Sequence, residues 1–178
     1  MEQEEAQKPC YASYCLLADR PDFVPTLARW FWQEWAVVYR DLGLHSEQEV
    51  GADMHARCMN RDKIPLTLVA FVPGPDGADI PCATVTLDTE DLPTHKHINS
   101  WLVCVFVEEH HRGRGLAGAL LTQILAKARE VGLPEVWLWT KDQTAAMYEK
   151  YGWVRKESAV YHGDQISIMQ ALLPRSDA

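Results

Sequence analysis

Residues 105–121 read VFVEEHHRGRGLAGALL, and the architecture of this protein can be worked out from that stretch. It begins within an apolar run, WLVCVFV at residues 101–107, which predicts a central strand buried on both faces. A polar loop with glycines follows, and the apolar spacing after it predicts a helix over residues 113–131. EVWLWT at residues 135–140 predicts the next strand. Together they predict a strand–helix–strand unit with parallel strands.

The rest of the chain carries local signals for two early helices, a hairpin and a late helix followed by a β-pair. Asp22 is placed to cap the first helix, and Ser46 with Glu49 forms a capping box for the second. A Pro and Gly cluster between two strand-like runs predicts the hairpin. The predicted order is β-α-α-β-β-β-α-β-α-β-β. The segments outside the unit are strands 11–17, 66–72, 80–87, 153–161 and 165–172, helices from 22 and 46, and a helix within 142–152.

The composition is that of one globular domain. Of 178 residues, 47% are hydrophobic and 24% are charged. No linker or repeat divides the chain, so we expect one domain over residues 10–173 with flexible tails at 1–9 and 174–178. Lys and Arg number 17 against 25 Asp and Glu, a net charge of −8. This balance argues against a nucleic-acid partner, because phosphate binding depends on clustered positive charge.

The sequence predicts neither a membrane span nor an export signal. The chain has no apolar run of about 18 residues, the length that a spanning helix needs. Its N-terminus, MEQEEAQKPC, has no apolar stretch of the secretory type. Five cysteines at scattered positions fit neither a disulfide framework nor paired zinc ligands. We therefore expect a cytoplasmic monomer or homodimer without a metal.

The glycine-rich loop has the properties of an anion site. The backbone amides near Gly113, Gly115 and Gly118 are accessible, and they lie at the positive end of a helix. Arg112 and Arg114 add formal charge beside them. A phosphate or pyrophosphate is the ligand that this chemistry predicts. The alternative is that the glycines only tighten the turn and the arginines only solvate it.

The same glycines also match a dinucleotide-binding fingerprint. The spacing Gly113-x-Gly115-x-x-Gly118 fits it, and Asp142 follows near the end of the next strand. That fingerprint requires its first glycine almost directly after the strand, whereas residues 108–112 intervene here. It also requires a series of strand–helix–strand units, and only one is visible. A dinucleotide-dependent oxidoreductase therefore ranks third among the functions considered.

Two motifs resemble the GNAT superfamily of N-acetyltransferases. Its signature, Arg/Gln-x-x-Gly-x-Gly/Ala directly after a buried fourth strand, is matched by RGRGLA at residues 112–117. Its late helix carries an aromatic-Tyr-Glu-x-x-Gly-aromatic pattern, which MYEKYGW at residues 147–153 resembles. The element order is also similar, and the resemblance covers about residues 11–173.

The resemblance implies a mixed α/β (α+β) fold, with a mostly antiparallel central sheet flanked by helices. Two parallel strands would splay apart at one end, and acetyl-CoA would enter the split. Tyr148 would protonate the departing CoA thiolate as general acid. The implied cofactor-binding residues are Val105, Phe106 and Val107 for the pantetheine arm, and Arg112, Gly113, Arg114, Gly115, Leu116, Ala117 and Gly118 for the pyrophosphate.

The chain departs from the family pattern in two places. Members often carry Asn near the start of the late helix, where Lys141 and Thr144 stand here. Some members place a glutamate base early in the fourth strand, but Trp101 occupies that region and the strand contains no carboxylate. The loop before that strand supplies the candidate bases Asp88, Glu90, Asp91, His95 and His97. We select Asp91 as the catalytic base, acting directly or through water.

Two pairs of histidines and one cysteine are more simply explained as structural or solvated residues than as functional ones. The pairs His110-His111 and His95-x-His97 lack the further ligands that a metal site needs, so we expect solvated histidines. Cys104 lies in the middle of a strand and is expected in the core rather than as a nucleophile.

The first helix is rich in aromatic residues, which cannot all be buried on one face. Phe31 and Trp35 are expected in the core. Trp30 or Trp32 is expected to border an acceptor pocket or a dimer contact.

The activity implied by these features is transfer of an acetyl group from acetyl-CoA to a primary amine, by direct attack in a ternary complex. The net charge and the acidic run at residues 88–91 predict a small cationic acceptor, and a peptide α-amine is the other acceptor considered. The second class of function is an acyl-CoA-binding module that senses without turnover. The missing strand carboxylate favours that module, and Tyr148 disfavours it.

Overall fold

The structure is a computed structural model that describes residues 11–174, and these residues form a seven-stranded sheet with helices on both faces. The predicted tails lie outside the described residues, apart from Pro174. The strands are β1 Ser13–Leu16, β2 Leu66–Pro73, β3 Asp79–Asp88, β4 Trp101–Val107, β5 Glu135–Lys141, β6 Val154–Tyr161 and β7 Asp164–Leu172. The helices are α1 Val24–Asp41, α2 Glu47–Arg57, α3 Leu116–Glu130 and α4 Asp142–Glu149. Short 3₁₀ segments occupy Leu17–Asp19, Pro21–Phe23 and Glu109–His111.

The strands lie in the order β1-β2-β3-β4-β5-β7-β6. Every neighbouring pair is antiparallel except β4 and β5, which are parallel. This topology confirms the predicted fold class, the predicted order of elements and the parallel strands of the central unit. No helix within residues 11–174 combines the length and the apolarity that a membrane crossing needs.

The prediction that β4 is buried on both faces is wrong for most of its length. Trp101 and Leu102 are buried, but the five residues 103–107 are only half-buried. The cause is the neighbouring strand, because β5 is in register with β4 at the single pair Trp101–Trp137. Beyond that pair, one side of β4 is left without a strand to cover it.

The two faces of the sheet are packed differently. One face, the α3 face, is covered by α3 and α4, and its buried side chains form a single continuous core. The opposite face, the α1 face, carries two separate groups of buried side chains. The α1 group consists of residues from α1 and α2 packed on Val69, and the loop group consists of Leu92, Ile98, Trp101, Ile166 and Ile168.

Strand β4 contributes to all three groups, and its alternation shows where the two groups of the α1 face meet. Leu102 and Val105 pack in the α3-face core. Val103 packs in the loop group, whereas the next residue, Cys104, packs in the α1 group. The boundary between the groups therefore lies at residues 103–104.

The starts of three helices were predicted from local sequence signals, and the predicted cap is confirmed for α2 but not for α1. Ser46 caps α2 as predicted, with its Oγ accepting from the Glu49 amide at 3.2 Å. Asp22 does not cap α1, because its carboxylate binds the Arg20 guanidinium at 2.8 Å and a 3₁₀ turn precedes the helix. Helix α3 begins at Leu116 instead of residue 113. The reason is the left-handed backbone of the glycines before it, which is described with the site below.

Candidate active site

The split between β4 and β5 is the central feature of the site. The Trp137 amide donates to the Ser100 carbonyl at 2.8 Å, and the strands are in register beside that bond at Trp101. A β-bulge then interrupts β4 opposite β3, and Cys104 adopts a positive φ of 53° there. The backbone of residues 103–107 thus has no strand partner on its β5 side, where the pantetheine-binding residues Val105, Phe106 and Val107 were predicted, although the Val107 carbonyl is engaged by Arg112.

The glycine loop presents free amides. Gly113 and Gly115 have φ values of 72° and 80°, a left-handed conformation that glycine adopts without steric cost. No side chain caps α3, and the first helical bond runs from the Ala119 amide to the Gly115 carbonyl at 3.1 Å. The amides of residues 116–118 precede that bond, so they remain available to an anion.

The surroundings of the loop fit a pyrophosphate. A Cβ added to Gly115 would meet no atom within 4 Å, so the space over the loop is open. The Arg112 Nε donates to the Val107 carbonyl at 2.9 Å, which ties the loop to the end of β4. Arg114 is exposed beside it. The predicted residues Leu116 and Ala117 form the first turn of α3, as expected for an anion-binding helix start.

Gly118, predicted to bind the cofactor, also has a packing role. A Cβ at this position would overlap the hydroxyl group of Tyr151. Glycine therefore allows the phenol ring to lie directly against the first turn of α3. Sequence reasoning missed Tyr151, because it stands at a variable position of the second motif. Its contact with α3 joins residues that are far apart in the sequence.

Tyr148 lies on α4 within the α3-face core. Its side chain is 8% exposed, and its ring contacts that of Trp153 at a centroid distance of 6.2 Å. Burial raises the pKa of Tyr148 to about 12. The phenol is therefore neutral at physiological pH and holds a proton that it can donate.

Asp91 lies on the α1 face, beside the boundary between the two groups. Burial raises the pKa of the Asp91 carboxyl to about 7. A hydrogen bond from the Trp139 side chain opposes that shift, and the charge of Asp88 adds to it. Asp91 is also among the charges that raise the pKa values of Cys104 and Tyr161, so all of these groups lie near one another.

The other candidate bases of this loop are engaged elsewhere or exposed. Asp88 binds the Arg57 guanidinium at 2.7 Å, although burial still raises the pKa of its carboxyl. Glu90 is exposed. His95 contacts Glu157 through Nε2 at 3.0 Å, and the exposed His97 lies 5.7 Å from the His95 ring. The acidic run thus does not form one cluster.

Cys104 lies at the bulge, half-buried, with its Sγ 3.6 Å from the Tyr39 hydroxyl. Burial raises the pKa of the Cys104 thiol and also that of the Tyr39 phenol. A nucleophilic cysteine needs a lowered pKa, so this environment disfavours the thiolate. Its role is packing beside the split, which agrees with the expectation that it is not a nucleophile.

The aromatic residues of α1 are distributed differently from the prediction. Phe31 is buried as expected, but Trp35 is only half-buried, and its φ and ψ of −126° and 30° interrupt the helix. Trp30 is buried 5.0 Å from the Phe106 ring and lines a cavity of about 190 Å³ that also touches Arg112. Trp32 is half-buried beneath the Arg40 guanidinium.

The remaining polar candidates are paired. His110 contacts the Glu108 carboxylate at 2.9 Å through Nδ1, and this contact raises the pKa of His110. Lys141, at the position where GNAT relatives often carry Asn, binds Asp164 at 2.7 Å. Within residues 11–174, no three His, Cys, Asp or Glu side chains converge in a way that could hold a metal ion.

Comparison with protein families agrees with this geometry. The model of the acetyltransferase (GNAT) family matches residues 24–153, which is more than half of the chain. No curated protein sequence matches the chain.

Solved structures share the fold at low sequence identity. A GNAT-family acetyltransferase from Streptococcus pneumoniae is 16% identical, with a TM-score of 0.64 over 91% of this chain and 100% of the other. The yncA protein of Salmonella typhimurium, solved with its cofactor acetyl-CoA, is 15% identical, with a TM-score of 0.66 over 95% and 98%. A spermidine N-acetyltransferase SpeG chimera from Vibrio cholerae and hSSAT is 16% identical, with a TM-score of 0.62 over 92% and 96%.

Proposed function

Because the chain belongs to the GNAT acetyltransferase family, we propose that it transfers the acetyl group of acetyl-CoA to a primary amine by direct attack in a ternary complex. The observation that carries this proposal is the split between β4 and β5. The two strands are in register only at Trp101–Trp137, and beyond that pair β4 has no strand partner on its β5 side. In the proposed reaction the pantetheine arm occupies this split, and the amine approaches it from the α1 face.

We assign the binding of acetyl-CoA mainly to backbone groups. The free amides at the start of α3 and the open space over Gly115 suit a pyrophosphate. Arg112 and Arg114 add positive charge there. The uncovered edge of Val105, Phe106 and Val107 suits an extended pantetheine arm, which carries amide groups that can pair like an added strand.

The acid and the base of the proposed reaction lie on opposite faces of the sheet. The amine nitrogen forms a bond to the acetyl carbon, and the bond from that carbon to sulfur breaks. Tyr148, on the α3 face, gives its hydroxyl proton to the departing thiolate. Asp91, on the α1 face, first takes one proton from the ammonium, so that the neutral amine can attack. The nitrogen loses its second proton as the amide forms, and this proton restores the Tyr148 hydroxyl through water. Asp91 then releases its proton to solvent, so the net products are the amide, CoA thiol and one proton.

The pKa of Asp91 supports its role as base, whereas the role of Tyr148 as acid rests on its motif and not on its pKa. Burial raises the pKa of Tyr148 to about 12, so the phenol carries a proton but is a weaker acid than an ordinary tyrosine. Asp91, whose pKa burial raises to about 7, is a much stronger base than an ordinary carboxylate. A catalytic base works best when its pKa lies near the operating pH, since it must be ionised and still attract a proton.

The test is a thiol-release assay with purified protein. We expect acetyl-CoA to bind in calorimetry, and free CoA to appear only when a primary amine is added. Acetyl-CoA binding with no release for any amine would instead support the sensing module. Binding of NADH in place of acetyl-CoA would contradict the proposal and support the oxidoreductase. A peptide with a free α-amine belongs in the panel, because that acceptor class fits the same chemistry.

A further inference from the structure

A cavity of about 360 Å³ lies on the α1 face, between residues 92–95 and the β6–β7 hairpin. Its apolar wall consists of Leu92, Ala159 and Ile166. Leu92 and Ile166 are buried members of the loop group, and Ala159 packs against them. The cavity is therefore built on a packed part of the molecule and is not a gap between loose segments.

The cavity adjoins the position of the proposed base. Leu92 follows Asp91 directly in the chain and lines the cavity. Tyr161 lines it as well, and its ring lies 5.2 Å from that of Trp139, whose side chain contacts Asp91. Tyr161 thus lies between the cavity and the carboxylate, and a molecule that placed its amine at Asp91 could extend past this ring.

The polar groups of the cavity wall are already satisfied by one another. His95 contacts Thr94 through Nδ1 at 2.8 Å and Glu157 through Nε2 at 3.0 Å. Glu157 is the one carboxylate among the lining residues, and one of its oxygens is held by His95, so the cavity offers a second ammonium group only this single, exposed carboxylate. The rest of the wall is mostly aliphatic and aromatic surface. Burying such surface against an apolar group of a ligand is favourable by about 25 cal/mol per Å².

We propose that this cavity holds the body of the acceptor, and that the acceptor is a primary amine carrying an uncharged, largely apolar group. The inference rests on the proposed acetyl transfer and narrows its substrate class. A polycationic molecule is one form of the small cationic acceptor that the acidic run suggested. The inference disfavours that form, because Asp88 is paired with Arg57 and the acidic run does not form one cluster.

The test compares tryptophan substitutions at two adjacent residues of β6. Ala159→Trp places an indole in the cavity, whereas Ser158→Trp places one on an exposed position of the same strand that does not line the cavity. Each variant is assayed by thiol release with ethylamine, phenethylamine and spermidine. Ala159→Leu is made as a milder filling substitution, and melting curves establish that each variant is folded.

For the wild-type protein we expect kcat/KM to be highest for phenethylamine. Ala159→Trp should lower that value at least about tenfold and leave the value for ethylamine within about twofold, with Ala159→Leu between them. Ser158→Trp should change neither value by more than about twofold. The acetyl-CoA affinity should stay at the wild-type value in all variants, because the cavity lies on the acceptor side.

Two results would overturn the inference and leave the proposed function intact. The first is a higher kcat/KM for spermidine than for phenethylamine, which would restore a polycationic acceptor. The second is equal behaviour of the two tryptophan variants toward phenethylamine, which would place the acceptor outside the cavity. Failure of every amine with normal acetyl-CoA binding would contradict the acetyl transfer itself, and the inference would fall with it.

Discussion

The two faces of the sheet differ in how they are filled. On the α3 face, α3 and α4 cover one continuous core that spans the split between β4 and β5. On the α1 face, the buried side chains form two groups that meet at Val103 and Cys104. Continuous packing positions the proposed acid, Tyr148, within a rigid surrounding. The boundary on the other face leaves half-buried groups, including Asp91 and Trp139, beside which a second reactant can bind.

Under the proposed function, this difference assigns stability and acceptor selection to separate faces. Helix α3 must both pack on the sheet and present its first turn to a phosphate, which leaves little freedom for change. The loop group is smaller, and it is held by residues 92–98 and the β6–β7 hairpin. Changes there can alter the acceptor without disturbing the α3-face core.

The largest expected effect is on the acid. Tyr148→Phe removes one hydroxyl and little volume, so kcat should fall about 10²–10⁴-fold while the melting temperature hardly changes. Stopped-time thiol-release assays and calorimetry measure kcat and acetyl-CoA affinity separately. A wild-type kcat would reduce Tyr148 to a packing residue, and the α3 face would then have no catalytic part.

The next effect concerns the base on the opposite face. For the wild-type protein we expect activity to fall as pH drops through about 7, and Asp91→Asn should lower kcat about 10²-fold and remove that fall. Glu90→Gln is the matched control, since Glu90 is a neighbouring but exposed carboxylate. Equal pH profiles for the two variants would mean that loop charge, and not one placed carboxylate, controls the rate.

Asp91 also predicts a pH-dependent stability with a definite sign. Its carboxyl pKa is raised from 3.8 to about 7 in the folded state, so the ionised form is disfavoured by folding. The resulting cost is absent below 3.8, grows between the two values and is complete above about 7. Asp91→Asn should therefore raise the free energy of unfolding at pH 8 and change it little at pH 3.5, which denaturant titrations at both pH values would measure.

A smaller effect is expected on cofactor affinity at the glycine loop. Gly115→Glu places a side chain and a negative charge over the open space, so acetyl-CoA affinity should fall at least tenfold, about 1.4 kcal/mol. Gly77→Glu is the matched control, because Gly77 has a φ of +83° against +80° at Gly115 and equally open surroundings. Calorimetry that gave equal affinities for the two variants would contradict the assigned loop.

A matched pair of valines compares the faces directly. Val136 on β5 is completely buried in the α3-face core, whereas Val103 on β4 is half-buried at the boundary. Val136→Ala should lower the free energy of unfolding by about 2 kcal/mol, and Val103→Ala by less than about 1 kcal/mol, since less apolar surface is lost from burial. Equal losses in urea titrations would mean that the boundary is as tightly packed as the core.

The smallest expected effect is on stability at Gly118, where substitution by alanine should have opposite effects with and without the Tyr151 ring. Alanine is favoured over glycine in a helix by about 0.5–1 kcal/mol, but a Cβ here overlaps the Tyr151 hydroxyl. Gly118→Ala should therefore destabilise the wild-type protein and stabilise a Tyr151→Ala background. A double-mutant cycle from melting curves measures the coupling. Additive effects would show that the ring moves aside freely.

Several features of the fold could be predicted from short stretches of the chain. The capping signal at Ser46 and the hairpin turn at His162-Gly163 each depend on residues within four positions of one another. The turn residues have φ values of 48° and 83°, as a two-residue hairpin with the right twist requires. The glycine loop was located in the same way, although the helix begins at Leu116 because Gly113 and Gly115 are left-handed.

The candidate site could be predicted only in part. Asp88 and Asp91 look equivalent in the sequence, yet Asp88 meets Arg57 on another element, and Asp91 lies beside Trp139, far along the chain. Asp22 failed as a cap for a partly local reason, because it binds Arg20 two residues away, although Arg20 is also held by Asp79 on β3. The pairing of Asp88 with Arg57, by contrast, joins distant residues and depends on how the elements pack, which no local pattern records.

The sequence by itself determined the elements, their order and the position of the glycine loop, because backbone conformation and hydrophobic period are local properties. Tertiary structure alone decided that β4 is half-exposed, that Tyr151 lies against Gly118, and that one carboxylate of residues 88–91 lies beside Trp139. Each of these depends on which surfaces meet. Burial raises the pKa of Asp91, and its contact with Trp139 on β5 joins residues that lie far apart in the sequence.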